Sequence, residues 1–162
     1  QCCLVGSEMC IRDRIIHYHN RSKLSKDKEN GATYHKDLKS LMSVADVLSV
    51  CCPATKETTN MINKKTLEYL PTGAVVTNVA RGDIVDDEAL IEALNSRKVY
   101  AVGLDVYQGE PNLNPGYLKH KSAFILPHLG SASKQTRTAM GNLAIDNIDE
   151  FFKTGSCKNK VN

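Results

Sequence analysis

The chain has 162 residues, 41% hydrophobic and 24% charged, and no apolar run near the ~20 residues that a membrane-spanning helix requires. Its 21 basic and 18 acidic residues give a formal charge of +3 and are mixed along the sequence, without the clustered basic stripe that a phosphate backbone needs. One globular domain, or a large piece of one, is the expectation, with neither nucleic acid nor a membrane as partner.

The first fourteen residues, QCCLVGSEMCIRDR, carry no strand or helix period. LVGSEMCIRD is what one reading frame of a common transposase sequencing adapter encodes, so Leu4–Arg14 is read as a foreign segment and residues 1–14 are set apart from the fold. Of the six cysteines this leaves Cys51, Cys52 and Cys157. There is no CxxC and no Cys/His cluster with zinc-like spacing, and neighbours on a strand point to opposite faces, so no metal is expected. Reduced, structural thiols imply a cytoplasmic protein.

From Ile15 short β-rich runs alternate with helical patterns, the signature of βαβ units and a parallel sheet. In chain order the expected elements are a strand at Ile15–His19, a charged loop over Asn20–Asn30 and a short helix at Asp37–Ser43. Strand Val47–Cys51, helix Lys64–Leu70 and strand Ala74–Asn78 follow. Asp86, Asp87 and Glu88 then place acidic side chains at the start of a helix reaching about Ser96, where the helix dipole favours them. Strand Tyr100–Leu104, a Pro-, Gly- and Asn-rich loop over Gln108–Leu118, and strand Ala123–Leu126 come next. The longest helix runs from near Ser133 to Lys153, with Met140, Leu143, Ala144, Ile148 and Phe151 at three- and four-residue steps and Gly155 as its stop. That apolar face is expected to be buried.

Ligands of a doubly wound sheet bind outside the carboxyl ends of its strands, and the chemistry-bearing residues here follow such ends. VARGDIVDDEAL, DVYQGEP and LPHLGSAS set Arg81, Glu110 and His128 after successive strands, a cation, an acid and an imidazole suited to proton transfer. A guanidinium fork matches a carboxylate bidentately, and a carbonyl that accepts a hydride must also accept a proton. His17, His19, His35 and His120 lack such a context and are given no role, and Lys64 and Lys65 read as a solvated helix start.

Through TNVARGDIVDDEAL, GLDVYQGEP and LPHLGSAS the chain from Ile15 to about Phe152 resembles the D-isomer-specific 2-hydroxyacid dehydrogenases. The resemblance implies an α/β fold, a Rossmann-type doubly wound parallel sheet, incomplete because its first strand and helix are missing. It divides the chain into the foreign segment 1–14, a partial NAD(P)-binding domain over 15–132, and a helix and tail over 133–162 that return to a substrate domain. It implies that Arg81 orients the carboxylate and carbonyl of a small 2-keto acid, that His128 is the acid/base group, and that Glu110 supports the imidazole. It also implies that Cys52, Pro53, Thr58, Val79, Asp105 and Gly130 hold the ribose and nicotinamide, and that the parent enzyme is a homodimer.

An acid at the end of the first strand accepts from the ribose hydroxyls of NAD and repels a 2′-phosphate. HYHNRSK has none there; Asn20, Arg21 and Ser22 offer neutral donors and a cation, so NADP(H) is preferred, with NAD(H) also allowed. The glycine fingerprint GxGxxG is absent, as is the amino-terminal substrate domain, so the chain is read as a truncated, inactive and poorly folding piece of a glyoxylate or hydroxypyruvate reductase-like enzyme. Losing the central first strand is expected to separate Ile15–His19 from Ala74–Asn78 and to open two sheet edges. The alternatives are an NAD-dependent D-2-hydroxyacid or phosphoglycerate dehydrogenase, and a dinucleotide-sensing, corepressor-like binding protein.

Overall fold

The computed structural model describes residues 14–161; the segment read as foreign lies outside them except for Arg14. Among the described residues six strands and five α-helices follow in the order β1 (His17–His19), α1 (Lys26–Glu29), β2 (Thr33–His35), α2 (Leu38–Met42), β3 (Val47–Val50), α3 (Lys64–Leu67), β4 (Ala74–Asn78), α4 (Asp87–Asn95), β5 (Val99–Leu104), β6 (Ala123–Ile125) and α5 (Lys134–Thr154). Every pairing between strands is parallel. The expected α/β architecture is thus present.

The strands form two sheets, β1–β2 and β3–β4–β5–β6. The expected break beside Ala74–Asn78 falls beside β3 instead, because β2, which the sequence pattern does not announce, moves each later strand on by one position. β4 lies inside its sheet, and β3 carries the open edge. α1 likewise occupies part of the stretch expected to be loop; its four residues KDKE are all charged and bury nothing, so no apolar period marks it.

Alternation along the larger sheet sends Leu48, Val50, Val76, Val102 and Leu104 into one core with Met42, Leu67, Leu90 and Leu94 from the helices and Leu70 from the turn after α3. Each fully buried aliphatic side chain contributes about 1.5–3 kcal/mol relative to exposure. The opposite face stays open: Val47 is 47%, Tyr100 69% and Phe124 66% exposed. Parallel sheets are normally covered on both faces, so this surface and the β3 edge are unusual for the architecture.

The helices start where local chemistry caps them. Asp37 accepts from the Ser40 N–H, Asn63 and Thr66 form a reciprocal capping box, and Asp86 accepts from the Ala89 N–H at 3.1 Å. One step further into α4, Asp87 is buried, and Tyr117 of the 3-10 turn Pro115–Lys119 donates its hydroxyl to Oδ1 at 2.9 Å. The other carboxylate oxygen has no partner, and burial holds the Asp87 carboxyl above its usual range, the Tyr117 bond opposing this. A carboxyl raised on folding contributes its stability when protonated, and that contribution is lost as pH rises through its folded-state value. Tyr117→Phe, which removes the hydroxyl donated to Oδ1 and leaves the carboxyl only the smaller support of the Gln108 backbone, is expected to cost about 1–3 kcal/mol at neutral pH. Asp87→Asn is expected to flatten the fall in stability with rising pH; denaturant midpoints from pH 4 to 8 measure both.

The chain divides into two compact units between Ile125 and Leu126. In the second, α5 is capped by Ser133, which accepts from the Thr136 N–H, and ends at Gly155 with φ 75°. The apolar stripe recurs at the expected spacing, yet no α5 residue is buried, and Met140, Leu143, Ile148 and Phe151 are each more than half exposed. Periodicity makes a helix amphipathic; burial also requires a surface that covers it. Among the described residues no helix is long and apolar enough to cross a membrane.

Candidate active site

β4 ends in Asn78, whose side chain is 1% exposed and organises the turn that follows. Its Oδ1 accepts from the Ala80 N–H at 3.0 Å, its Nδ2 donates to the Arg81 carbonyl at 2.9 Å, and its own carbonyl accepts from the Asp105 N–H at 3.0 Å. One buried amide thereby fixes Val79–Arg81 and ties it to the end of β5. In the sequence Asn78 stands out only as a strand terminus. The signal it carries is a polar residue closing the run AVVT, which a buried strand end tolerates only when satisfied.

Arg81 leaves this turn exposed, its Nη1 donating to the Ala80 carbonyl at 2.6 Å. Gly82, next to it, begins the 3-10 turn Gly82–Ile84. Any Cβ at position 82 would collide with the Tyr107 carbonyl and reach 2.8 Å from the Gln108 nitrogen, so only glycine lets the two backbones approach. The loop after β5 then carries Asp105, half-buried, and Glu110, exposed, which accepts from the Tyr107 N–H at 3.1 Å.

Beyond β3, Cys51 is exposed with its thiol 3.4 Å from the Ser49 hydroxyl, whereas Cys52 is half-buried against the core and burial pushes its thiol pKa up. Pro53 is exposed. The Thr58 hydroxyl is engaged within the turn, donating to the Pro53 carbonyl at 2.8 Å and accepting from the Thr55 N–H at 2.7 Å. The ends of β3 and β4 border an open cleft of about 520 Å³ lined by Cys51, Cys52, Pro53, Ala54, Val79, Ala80 and Arg81. It brings together four sequence-expected residues, Cys52, Pro53, Val79 and Arg81. Its walls are small and apolar with one guanidinium at the rim, a chemistry that fits a flat, weakly polar ring with an anion beside it.

At the end of β1, Asn20, Arg21 and Ser22 are all exposed, and Asn20 Oδ1 accepts from the Arg21 N–H at 2.9 Å. Glu57, in the turn after β3, has its carboxyl lowered first by the Thr55 hydroxyl and in smaller part by the charge of Arg21. The second unit carries His128 and Gly130, both exposed. His128 has φ 55°, a left-handed conformation that is uncommon outside glycine and that asparagine, aspartate and histidine adopt more readily than other residues.

A parallel sheet whose loops after β3, β4 and β5 gather a cleft, a guanidinium and a carboxylate on one rim defines a nucleotide-binding α/β domain. Residues 11–130 match the model of the D-isomer specific 2-hydroxyacid dehydrogenase NAD-binding domain. The chain belongs to this family. It is 43% identical to glycerate dehydrogenase of Hyphomicrobium methylovorum over 142 residues, 86% of this chain and 44% of that protein. It is 37% identical to glyoxylate reductase of Thermococcus litoralis over 92% of this chain and 45% of that one. The NADPH-dependent glyoxylate/hydroxypyruvate reductase of Sinorhizobium meliloti, solved with NADP and malonate, superposes with a TM-score of 0.84 at 35% identity over 94% of this chain and 47% of that one. The chain spans about half the length of the curated relatives it matches.

Proposed function

We propose that the protein carrying this chain is an NADP(H)-dependent reductase of small 2-keto acids, glyoxylate and hydroxypyruvate being the substrates to try first. The observation that carries the cofactor preference is the end of β1, where Asn20, Arg21 and Ser22 stand exposed with no carboxylate among them. A ribose hydroxyl would find no acid to donate to there, while a 2′-phosphate would meet a guanidinium and two neutral donors. Relatives named as glyoxylate reductases support the substrate class.

Asn20, Arg21 and Ser22 hold the adenosine ribose and its 2′-substituent in this reading. Cys52, Pro53, Thr58, Val79, Asp105 and Gly130 shape the remainder of the dinucleotide site, with Asp105 accepting from the carboxamide. The nicotinamide, when bound, supplies the hydride. Arg81 grips the keto acid through its carboxylate and polarises its carbonyl, which restricts the substrate to one orientation. His128 delivers the proton to the carbonyl oxygen, and Glu110 favours the charged imidazole. A homodimer completes the proposal.

The test uses the native polypeptide that carries this sequence, assayed with glyoxylate and hydroxypyruvate against NADPH and NADH. Turnover is expected with NADPH ahead of NADH, and Asn20→Asp with Arg21→Ala is expected to reverse that order, each lost or gained contact shifting the ratio of efficiencies by roughly tenfold. An unchanged ratio overturns the cofactor reading. Dinucleotide binding without turnover of any keto acid overturns the enzyme reading in favour of a sensor.

A further inference from the structure

The turn Asn20–Leu24 is exposed at every residue, yet both of its ends are tied to tyrosines that face each other across the β1–β2 pair. Tyr18 and Tyr34 are partners in the strand register, with ring centroids 5.3 Å apart. At the first residue of the turn, the Tyr34 hydroxyl donates to the Asn20 carbonyl at 3.3 Å. At the last, the Leu24 N–H donates to the Tyr18 hydroxyl at 3.0 Å. Tyr18 in turn donates to Glu29 Oε1 at 2.7 Å, and the same carboxylate oxygen lies 3.6 Å from Lys23 Nζ.

These contacts form one connected device. A hydroxyl that donates to a carboxylate becomes a better acceptor, so Glu29 strengthens the bond from Leu24 to Tyr18. Asn20, at the fixed start, accepts the Arg21 N–H with its own side chain. The backbone that presents Arg21 and Ser22 is thereby held at its start and its end, while their side chains stay open to solvent. An exposed recognition turn that is free before binding must be ordered when a ligand arrives, which weakens affinity; a turn already held avoids most of that loss.

We propose that Tyr18, Tyr34 and Glu29 are positioning residues for cofactor selectivity, clamping both ends of the Asn20–Leu24 turn so that Asn20, Arg21 and Ser22 meet a dinucleotide 2′-phosphate pre-formed. This rests on the NADP(H) reading above. The three act through the turn, and their effect falls chiefly on the 2′-phosphate, whose charge meets Arg21, whereas the ribose that both dinucleotides share makes only neutral contacts there. Two aromatic rings side by side also resist the compensating shift that a flexible anchor would allow.

The experiment is isothermal titration of NADPH and of NADH into the native polypeptide that carries this sequence, for wild type, Tyr18→Phe, Tyr34→Phe and Arg21→Ala. Tyr18→Phe keeps the ring and removes the hydroxyl; it is expected to weaken NADPH roughly three- to tenfold while NADH stays within about twofold. Tyr34→Phe, which loses a longer bond, is expected to shift NADPH in the same direction by less. Both variants keep the apolar contact, and a thermal melt checks that each folds as wild type does. Equal weakening of NADPH and NADH by both variants, or no change in either, overturns the clamp. A wild type that binds both cofactors equally, or an Arg21→Ala that keeps the wild-type preference, overturns the NADP(H) reading and the clamp with it. A preference that Arg21→Ala abolishes but neither phenylalanine alters overturns the clamp alone.

Discussion

Exchanging His128 for asparagine is expected to lower kcat for 2-keto acid reduction by roughly 10³-fold, the middle of the range for losing a positioned proton donor. Asparagine is the informative replacement because His128 sits at φ 55°, where asparagine costs less backbone strain than alanine or any branched residue. The change therefore removes proton delivery while leaving the local chain path in place. NADPH affinity is expected to stay within about twofold, since the imidazole is assigned to the substrate carbonyl rather than to the dinucleotide. Steady-state kinetics with glyoxylate, paired with direct titration of NADPH, separates the two quantities. A kcat within tenfold of wild type would remove His128 from the role proposed for it.

The second large effect is expected at Asn78. Asn78→Leu keeps the branching of the side chain but strands the Ala80 N–H and the Arg81 carbonyl, which the amide satisfies at 3.0 and 2.9 Å. Each buried group left unpaired costs about 1–3 kcal/mol, so a loss of roughly 2–5 kcal/mol in unfolding free energy is expected. The turn bearing Arg81 loses its fixed geometry at the same time, and the Michaelis constant for the keto acid is expected to rise with it. Asn78→Asp keeps an acceptor for the Ala80 N–H but sets a carboxylate oxygen against the Arg81 carbonyl at a position 1% exposed, so it is expected to destabilise as well. Denaturant unfolding of the three proteins compares them directly, and equal midpoints would show that Asn78 is not the support described.

Most of the larger sheet is legible in the sequence because its strands are apolar and bounded by turn residues. Ala74–Asn78 has the expected bounds, and β5 begins one residue earlier than the expected Tyr100. β2 is not legible: Thr33–His35 is three residues long, has no apolar run, and exists through its register with β1. The candidate catalytic residues stand out because Arg, Glu and His after consecutive strands form a motif. Their supports do not, because these are ordinary residues whose meaning is a partner far along the chain. Tyr18 meets Glu29 eleven positions on, and the Asn20 carbonyl meets Tyr34 fourteen on. Nor does the His17–His35 ring pair declare itself, with Nδ1 and Nε2 2.9 Å apart across eighteen residues. Linear patterns report the face a residue occupies; they carry no record of what stands on the other side.

Gly82 links two residues that the chain otherwise keeps apart. Arg81 immediately precedes it, the Tyr107 carbonyl closes on its α-carbon, and the Tyr107 N–H is the donor that Glu110 accepts. The backbone segments that carry Arg81 and Glu110 thus meet at a single main-chain contact, with no side chain interposed. Drift in the surrounding packing leaves such a spacing intact, since peptide units do not change size from one sequence to another. One added methyl group at position 82 would instead move both functional groups together, so the tolerance of this rim is set by the absence of an atom.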